Sequence, residues 1–245
     1  MLLTLQSFGA ITFVVSTSVV DPDGAQLVIT TPSVDTTGGN FCVASASVGP
    51  FSANPGATSI TDSKSNTYVP LTLVQSTAST SCCGNSQLWY AENATTGSGH
   101  TFTLTAGTSR SSMSVACFGG VAISSSFDVE NGATCASGCH TLQTGSVTPG
   151  VDNELIIAGY TDNGNAPRTV GIDSGLTVEA PTDPITLNNL GSAIAYSIQT
   201  TATASNPEWN SSVTDDSTVL TGTIATFKEL GAPGAVTRTH STVLF

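Results

Sequence analysis

The sequence predicts an all-β protein: an antiparallel β-sandwich or jelly roll with almost no helix, built from an internal duplication. Short runs of alternating apolar and polar side chains recur along the chain, and Gly, Pro, Asn or Asp residues bound them. No stretch keeps the i, i+3, i+4 apolar spacing of an amphipathic helix. Two runs of β-favouring and small apolar residues, Ser112–Ile123 and Thr218–Lys228, each close a block of similar order.

The first segment of the chain fits a strand better than a targeting signal. Residues 10–20 alternate apolar and polar side chains, as a half-buried strand does. A signal peptide is disfavoured because the first 20 residues contain no Lys or Arg and polar side chains interrupt their apolar run. The segment is also too short and too polar to cross a bilayer. A turn at Asp21–Gly24 then leads into a second strand, Ala25–Thr31.

From residue 33 onward the chain divides into two blocks offset by about 110 residues. Each block carries about six to eight short strands, which is the content of a β-sandwich. Two arrangements fit: each block forms its own sandwich and the two pack together, or strands of both interleave in one jelly roll. The corresponding strands are Phe41–Ala46 with Leu155–Tyr160, Thr67–Val74 with Leu176–Glu179, Gln87–Glu92 with Ala193–Gln199, and the two closing runs.

These blocks set the predicted domain boundaries. Residues 1–124 form a first sandwich repeat with the N-terminal strands, residues 125–230 a second repeat, and residues 231–245 a C-terminal tail strand. The junction is predicted at Ser124–Gly138. The tail resumes an apolar and polar alternation without a partner in its own repeat, and its predicted assembly residues are Val236, Arg238, His240, Val243, Leu244 and Phe245.

The charge content restricts the possible partners. Only 9% of the residues are charged, against about 25% in an ordinary globular domain. The formal net charge is −12, and the five Lys and Arg residues are scattered singly. The sequence therefore predicts neither nucleic-acid binding nor attraction to anionic membranes. A surface of Ser, Thr, Asn and Gly loses water at little cost, which favours a subunit packed against copies of itself or other structural subunits.

Six cysteines favour an oxidising compartment. Four lie in Ser/Gly/Asn-rich loops, where disulfides are expected: Cys82, Cys83, Cys135 and Cys139. Cys42 and Cys117 lie in strand-like runs and are expected to be buried free thiols. The pairing stays open because six cysteines allow 15 connectivities. A zinc site of the loop cysteines with His140 is a lesser alternative, because their spacing is not that of a zinc knuckle.

No catalytic residue and no required cofactor are predicted. The segment Ile172–Gly175 is similar to a serine-protease motif, but it coincides with a turn of the other block. The three histidines are separate and begin no metal-ligand pair. Most Asp residues sit where turns need them. The loops Asp21–Gly24 and Thr161–Asn165 offer hard oxygen ligands, so calcium is the one cation that they could hold.

The aromatic residues leave two interpretations open. Trp89 and Trp209 form a glycan contact if their indoles are exposed, and they belong to the core if the strands bury them. In the first case the protein is a carbohydrate-binding or adhesive module that binds surface glycans through the variable loops 75–86 and 181–189.

Six motifs resemble a family of uncharacterised β-sandwich proteins that occur in phages and environmental bacteria. They are Ile60–Tyr68 (ITDSKSNTY), Gln87–Glu92 (QLWYAE), Gly97–Leu104 (GSGHTFTL), Val115–Val121 (VACFGGV), Phe127–Val129 (FDV) and Ile224–Lys228 (IATFK). The resemblance spans about residues 25–230, and its motifs mark turns and strand ends. It implies a surface or particle-associated module without enzymatic activity and assigns no catalytic residue.

Together these observations predict a non-enzymatic structural subunit, located on the exterior of a phage-like virion or in an extracellular filament. Assembly would use the sandwich faces and the terminal strand. The carbohydrate-binding or adhesive extracellular module is the alternative.

Overall fold

The computed structural model describes residues 9–22, 24, 26–49, 57–76, 84–106, 110–135, 138–163, 169–182, 190–212 and 219–231. These residues form strands without any helix, so none of them belongs to a helix that could span a membrane. The strands are β1 (Thr12–Val20), β2 (Val28–Thr30), β3 (Phe41–Val48), β4 (Ala57–Asp62), β5 (Val69–Pro70), β6 (Asn85–Glu92), β7 (Phe102–Ala106), β8 (Ser111–Gly119), β9 (Phe127–Cys135), β10 (Thr141–Gln143), β11 (Leu155–Asp162), β12 (Val170–Ile172), β13 (Thr177–Thr182), β14 (Gly191–Ile198), β15 (Glu208–Ser211) and β16 (Leu220–Phe227).

The strands form four antiparallel sheets in four layers. The first half contributes the sheets β1-β8-β3-β6-β5 and β2-β7-β4, and the second half contributes β13-β14-β11-β16-β9 and β10-β15-β12. The two five-stranded sheets face each other, and a three-stranded sheet covers the far side of each. The predicted all-β sandwich is confirmed. Each half forms its own sandwich, because no sheet of the described residues mixes strands from both halves.

The strand order of the two halves corresponds when the numbers are offset by eight. The order β1-β8-β3-β6-β5 becomes β9-β16-β11-β14-β13, and β2-β7-β4 becomes β10-β15-β12. The packing between halves follows the same relation, since β1 lies against β13 and the segment after β5 lies against β9. Such a correspondence is what a duplication would produce. The duplication itself and the boundaries at residues 124 and 230 stay predictions.

Because successive side chains of a central strand point to opposite faces, each central strand contributes side chains to two cores. On β3, Cys42 and Ala44 point into the core shared with the three-stranded sheet, whereas Phe41 and Val43 point to the opposite half. All eight β3 residues are buried as a result. A strand covered on both faces needs small or apolar residues throughout, and FCVASASV meets that need.

The surface between the five-stranded sheets has two zones. The aromatic zone consists of the rings of Phe13, Phe41, Tyr90, Phe118, Phe127, Tyr196 and Phe227. The hydroxyl zone contains hydrogen bonds of 2.5 Å between Ser47 Oγ and Thr161 Oγ1 and of 2.9 Å between Ser114 Oγ and Ser192 Oγ. These bonds satisfy buried hydroxyls that would otherwise destabilise the contact.

The structure corrects the predicted junction. Ser124–Gly138 was expected to link the repeats, yet Phe127–Cys135 is a nine-residue strand, β9, paired with β16. Its sequence FDVENGATC contains Asp, Glu, Asn and Gly, which strands generally disfavour. An edge strand tolerates them, because one backbone side of β9 pairs with no strand of the described residues and every β9 residue is at least partly exposed.

A second correction concerns Cys42 and Cys117, which form a disulfide and are not free thiols. They are direct neighbours in the β3–β8 ladder, with Cα atoms 4.1 Å apart. Cys135 and Cys139 also form a disulfide, so their sulfurs are not available as zinc ligands. Cys82 and Cys83 lie outside the described residues.

Candidate functional site

The two tryptophans form no exposed platform. Trp89 is 7% exposed in β6 and contributes to the core of the first half, and Trp209 is fully buried beside Tyr160 with ring centroids 5.1 Å apart. The predicted glycan contact through these indoles is therefore wrong. Most residues of the loops 75–86 and 181–189 lie outside the described part of the chain, so a carbohydrate-binding or adhesive role stays a prediction without a site.

The loop carboxylates that could hold calcium have partners in their own chain. Asp21 is buried, and its oxygens accept hydrogen bonds from the backbone amides of Gly24, Gln26 and Arg110. Asp162 accepts a 2.8 Å bond from the Tyr160 hydroxyl. Within the described ranges, no group of three or more His, Cys, Asp or Glu residues is placed to hold a metal. Calcium binding stays a prediction.

A buried polar cluster lies at one end of the first half. His100 is fully buried, with Nε2 3.0 Å from Asp62 Oδ2 and Nδ1 2.9 Å from Thr36 Oγ1. Asp62 Oδ2 also accepts bonds from Asn66 Nδ2 at 2.8 Å and from the Tyr68 hydroxyl at 3.1 Å. We call these five residues the Asp62 cluster. Both ring nitrogens of the buried imidazole are engaged, so the cluster links the segments that carry Thr36, Asp62 and His100.

The pKa values of the Asp62 cluster follow from this geometry. Burial acts to raise the pKa of Asp62, but hydrogen bonds from the Asn66 side chain and backbone and from His100 outweigh it and lower the pKa. Burial, followed by the negative charge of Asp62, raises the pKa of Tyr68 far above its ordinary value. The cluster therefore holds Asp62 ionised and Tyr68 neutral at physiological pH.

We expect Asp62→Asn to lower the free energy of unfolding at pH 7 by about 1–3 kcal/mol, because the buried donors lose a charged acceptor. A carboxyl with a lowered folded-state pKa stabilises the fold above its ordinary pKa of 3.8, and that contribution is lost as the pH falls through the folded value. Urea titrations at several pH values should show a flatter acid limb for the variant. Asp35→Asn is the control at an exposed carboxyl, where hydrogen bonds from the Thr37 side chain and backbone also lower the pKa but no buried donor depends on it. Equal loss of stability in both variants would contradict the role of the cluster.

The second half has a cavity where the first half has its histidine. Val34 bridges to His100 in the first half, and Val147 bridges to Ser205 at the corresponding place in the second. Ser205 lines a half-open cavity of about 200 Å³ that also includes Ile156. Hydroxyl and amide side chains surround it: Ser174, Ser197, Gln199, Thr203, Ser205 and Asn206. This lining suits water or a small neutral polar molecule and contains no ionisable group.

An ionic group lies at the start of β9. Lys228 Nζ is 3.1 Å from Asp128 Oδ1, and Asp128 Oδ2 accepts a bond of 2.7 Å from Gly150 N. Burial, and then the nearby charge of Asp128, raise the pKa of Glu154. Burial opposes ionisation of Asp128, but Gly150 N and Lys228 outweigh it and lower the pKa of Asp128. The three side chains tie β9 to β11 and β16.

Sequence reasoning treated Asp62 as a turn residue and His100 as an isolated histidine. It therefore missed that the segment Ile60–Tyr68 supplies three members of one buried cluster. The spacing of Asp62, Asn66 and Tyr68 around a tight turn was the available signal. His100 lies too far along the chain for that signal to include it.

No known protein family, curated protein or solved structure matches this chain.

Proposed function

We propose that the chain is a non-enzymatic structural subunit on the exterior of a phage-like virion or of an extracellular filament. It assembles with copies of itself or with other structural subunits through its sandwich faces and its terminal strand. The observation that supports this proposal is that the few carboxylates of the chain are mostly engaged in hydrogen bonds within the chain itself.

Most of the described carboxylates accept hydrogen bonds from backbone amides or hydroxyls of the same chain. Those with such bonds include Asp21, Asp62, Glu92, Asp128, Glu130, Asp152, Asp173 and Glu179. With 9% charged residues in the whole sequence, few ions are left to be desolvated by a partner. Hydroxyls and amides exchange water for a neighbouring subunit at lower cost than ions do. This surface chemistry supports repeated subunit contacts.

The two disulfides support an exterior location. Cys42–Cys117 and Cys135–Cys139 are typical of proteins that fold or act in an oxidising environment. A virion surface and an extracellular filament both meet that condition. The resemblance of the motifs to phage and environmental surface proteins favours the same setting.

Deleting residues 232–245, which lie outside the described residues, should abolish assembly without unfolding the sandwiches. The deletion removes the strand that would pair with a neighbouring subunit's sheet edge, and we expect particles or filaments seen by negative stain to be replaced by monomers in light scattering. Circular dichroism should retain the β signal. Truncated protein that still forms the same particles would remove the terminal strand from the mechanism.

A further inference from the structure

We infer that the free edge of β1 accepts the C-terminal segment, residues 235–245, of a second copy of this chain. The inference rests on the proposed assembly function and names the surface that it would use. Its starting point is a difference between the four outer edges of the two five-stranded sheets.

Three of these edges carry features that oppose strand addition. β5 is two residues long and contains Pro70. β13 contains Glu179 and Pro181, and its register with β14 breaks between Glu179 and Thr182. β9 carries Asp128 and Glu130. Short length, proline, charge and irregular pairing are the devices by which proteins protect sheet edges.

β1 has none of these devices over most of its length. Its nine residues, TFVVSTSVV, include no charge, proline or glycine. The ladder with β8 is irregular only between Phe13 and Val15, and it runs without interruption from Val15 to Val20. β1 ends its sheet, so in the described part of the chain its outer side pairs with no strand. A long, uncharged, regular edge is a ready template for another strand.

The ladder shows which backbone groups of β1 are free to pair. Asp21 N donates to Ser111 O, so the amides and carbonyls of Thr17 and Val19 also point toward β8. Those of Ser16, Ser18 and Val20 point away from it. A groove of about 710 Å³ runs beside this edge, lined by residues 18–20 of β1, by Thr30, Thr31 and Pro32, and by Thr182. Alternate side chains of an added strand would enter this groove.

The C-terminal segment matches this edge in pattern and charge. Residues 236–242 alternate Val, Arg, His and Thr with Thr, Thr and Ser. The segment contains Arg238 and no acidic residue, whereas the whole chain has a net charge of −12. Glu179 lies beside β1, where its carboxylate accepts a 2.8 Å bond from Ser16 Oγ. A cationic strand therefore meets an acidic neighbour at this edge.

Chain geometry favours a second copy as the source. Leu230 N donates to Gly120 O, and a Cβ at Gly120 would lie 2.5 Å from Ala10 O, so the described chain ends beside the start of β1. A segment that left this point and followed its own β1 would run parallel to it. To pair antiparallel, it would first have to cover the roughly 30 Å length of β1. Every strand pair in the described residues is antiparallel, and another copy can supply that direction directly.

Amide hydrogen exchange on the full-length chain tests the inference. At high protein concentration we expect the amides of Ser16, Ser18 and Val20 to exchange about 100-fold more slowly than those of an open edge, and to lose that protection on dilution. Deleting residues 232–245 should remove the protection. Protection that dilution leaves unchanged would assign the edge to the chain's own C-terminal segment, and protection that survives the deletion would assign it to another strand. Either result overturns the inference.

A proline substitution supplies the matched test. Ser18→Pro removes an N–H that points away from β8, so it leaves the β1–β8 ladder intact and should abolish assembly. Thr134→Pro is the control on the edge strand β9, where Thr134 pairs with Thr221 and its amide points away from β16. It also removes the 3.2 Å bond from Thr134 Oγ1 to Leu220 O, so its melting temperature should fall further than that of Ser18→Pro while assembly persists. Melting temperatures of both variants report folding. Particles that form while Ser18 exchanges freely would overturn this inference and leave the subunit proposal standing, whereas a chain that stays monomeric would overturn both.

Discussion

Replacing Cys42 and Cys117 together with alanine should lower the free energy of unfolding by about 4 kcal/mol, the larger effect of the two disulfides among the described residues. The bond joins positions separated by 75 residues, so its loss gives the unfolded chain a large gain in conformational freedom. The site is also fully buried, and the substitution leaves unfilled space in the core of the first half. Guanidinium titration under oxidising conditions measures the change.

The second disulfide provides the control for this experiment. Cys135 and Cys139 are only four positions apart, and the same chain-entropy relation gives about 2 kcal/mol for that pair. We therefore expect the Cys135→Ala and Cys139→Ala double variant to be the more stable of the two. Equal losses of stability, or a smaller loss at Cys42 and Cys117, would show that loop length does not determine how much each disulfide stabilises the fold.

Gly159→Val should cost about 3 kcal/mol, because it places a branched side chain where the two five-stranded sheets are in contact. A Cβ at Gly159 would lie 2.7 Å from Ser45 Oγ in the opposite half and 2.5 Å from Thr223 Oγ1 on the neighbouring strand. Leu88 Cδ2 of the opposite half is 3.1 Å away. The sheets would have to separate, which loosens the hydroxyl and aromatic zones together.

Thermal and denaturant unfolding of Gly159→Val check this expectation, with Gly9→Ala as control. Nothing lies within 4 Å of a Cβ at Gly9, so its substitution should change the stability by less than about 0.5 kcal/mol. A second readout is the near-ultraviolet circular dichroism of the aromatic zone, which should weaken in the Gly159 variant alone. Unchanged stability in that variant would mean that the two halves do not need their observed close approach.

Alternation predicted the central strands well, because these strands alternate between two buried faces and contain few polar breaks. Phe41–Ala46 and Leu155–Tyr160 correspond to the central strands β3 and β11 with small changes at the ends, and residues 10–20 correspond to the edge strand β1. The same signal failed for β9. Its composition resembles a loop, and only tertiary pairing with β16 makes it a strand.

The residues predicted to form sites could not be resolved by alternation alone. Trp89 lies on a strand with protein on both faces, and its side chain enters the core of the first half. The Cys42–Cys117 bond depends on the register of β3 against β8, two strands far apart in sequence. The Asp62 cluster likewise depends on the return of β7 to β4, which brings His100 to the turn. All three features depend on pairing between strands that are far apart in sequence, which local sequence patterns do not encode.

The late pairing of β1 has a consequence for synthesis on the ribosome. β1 emerges well before its ladder partner β8, which is complete only at Gly119. Until then this uncharged strand is unpaired and exposed to solvent, at the stage when nascent chains aggregate most readily. In the described part of the chain the first sandwich shares no sheet with the second, so it can close before the remaining residues are translated, which shortens that exposure.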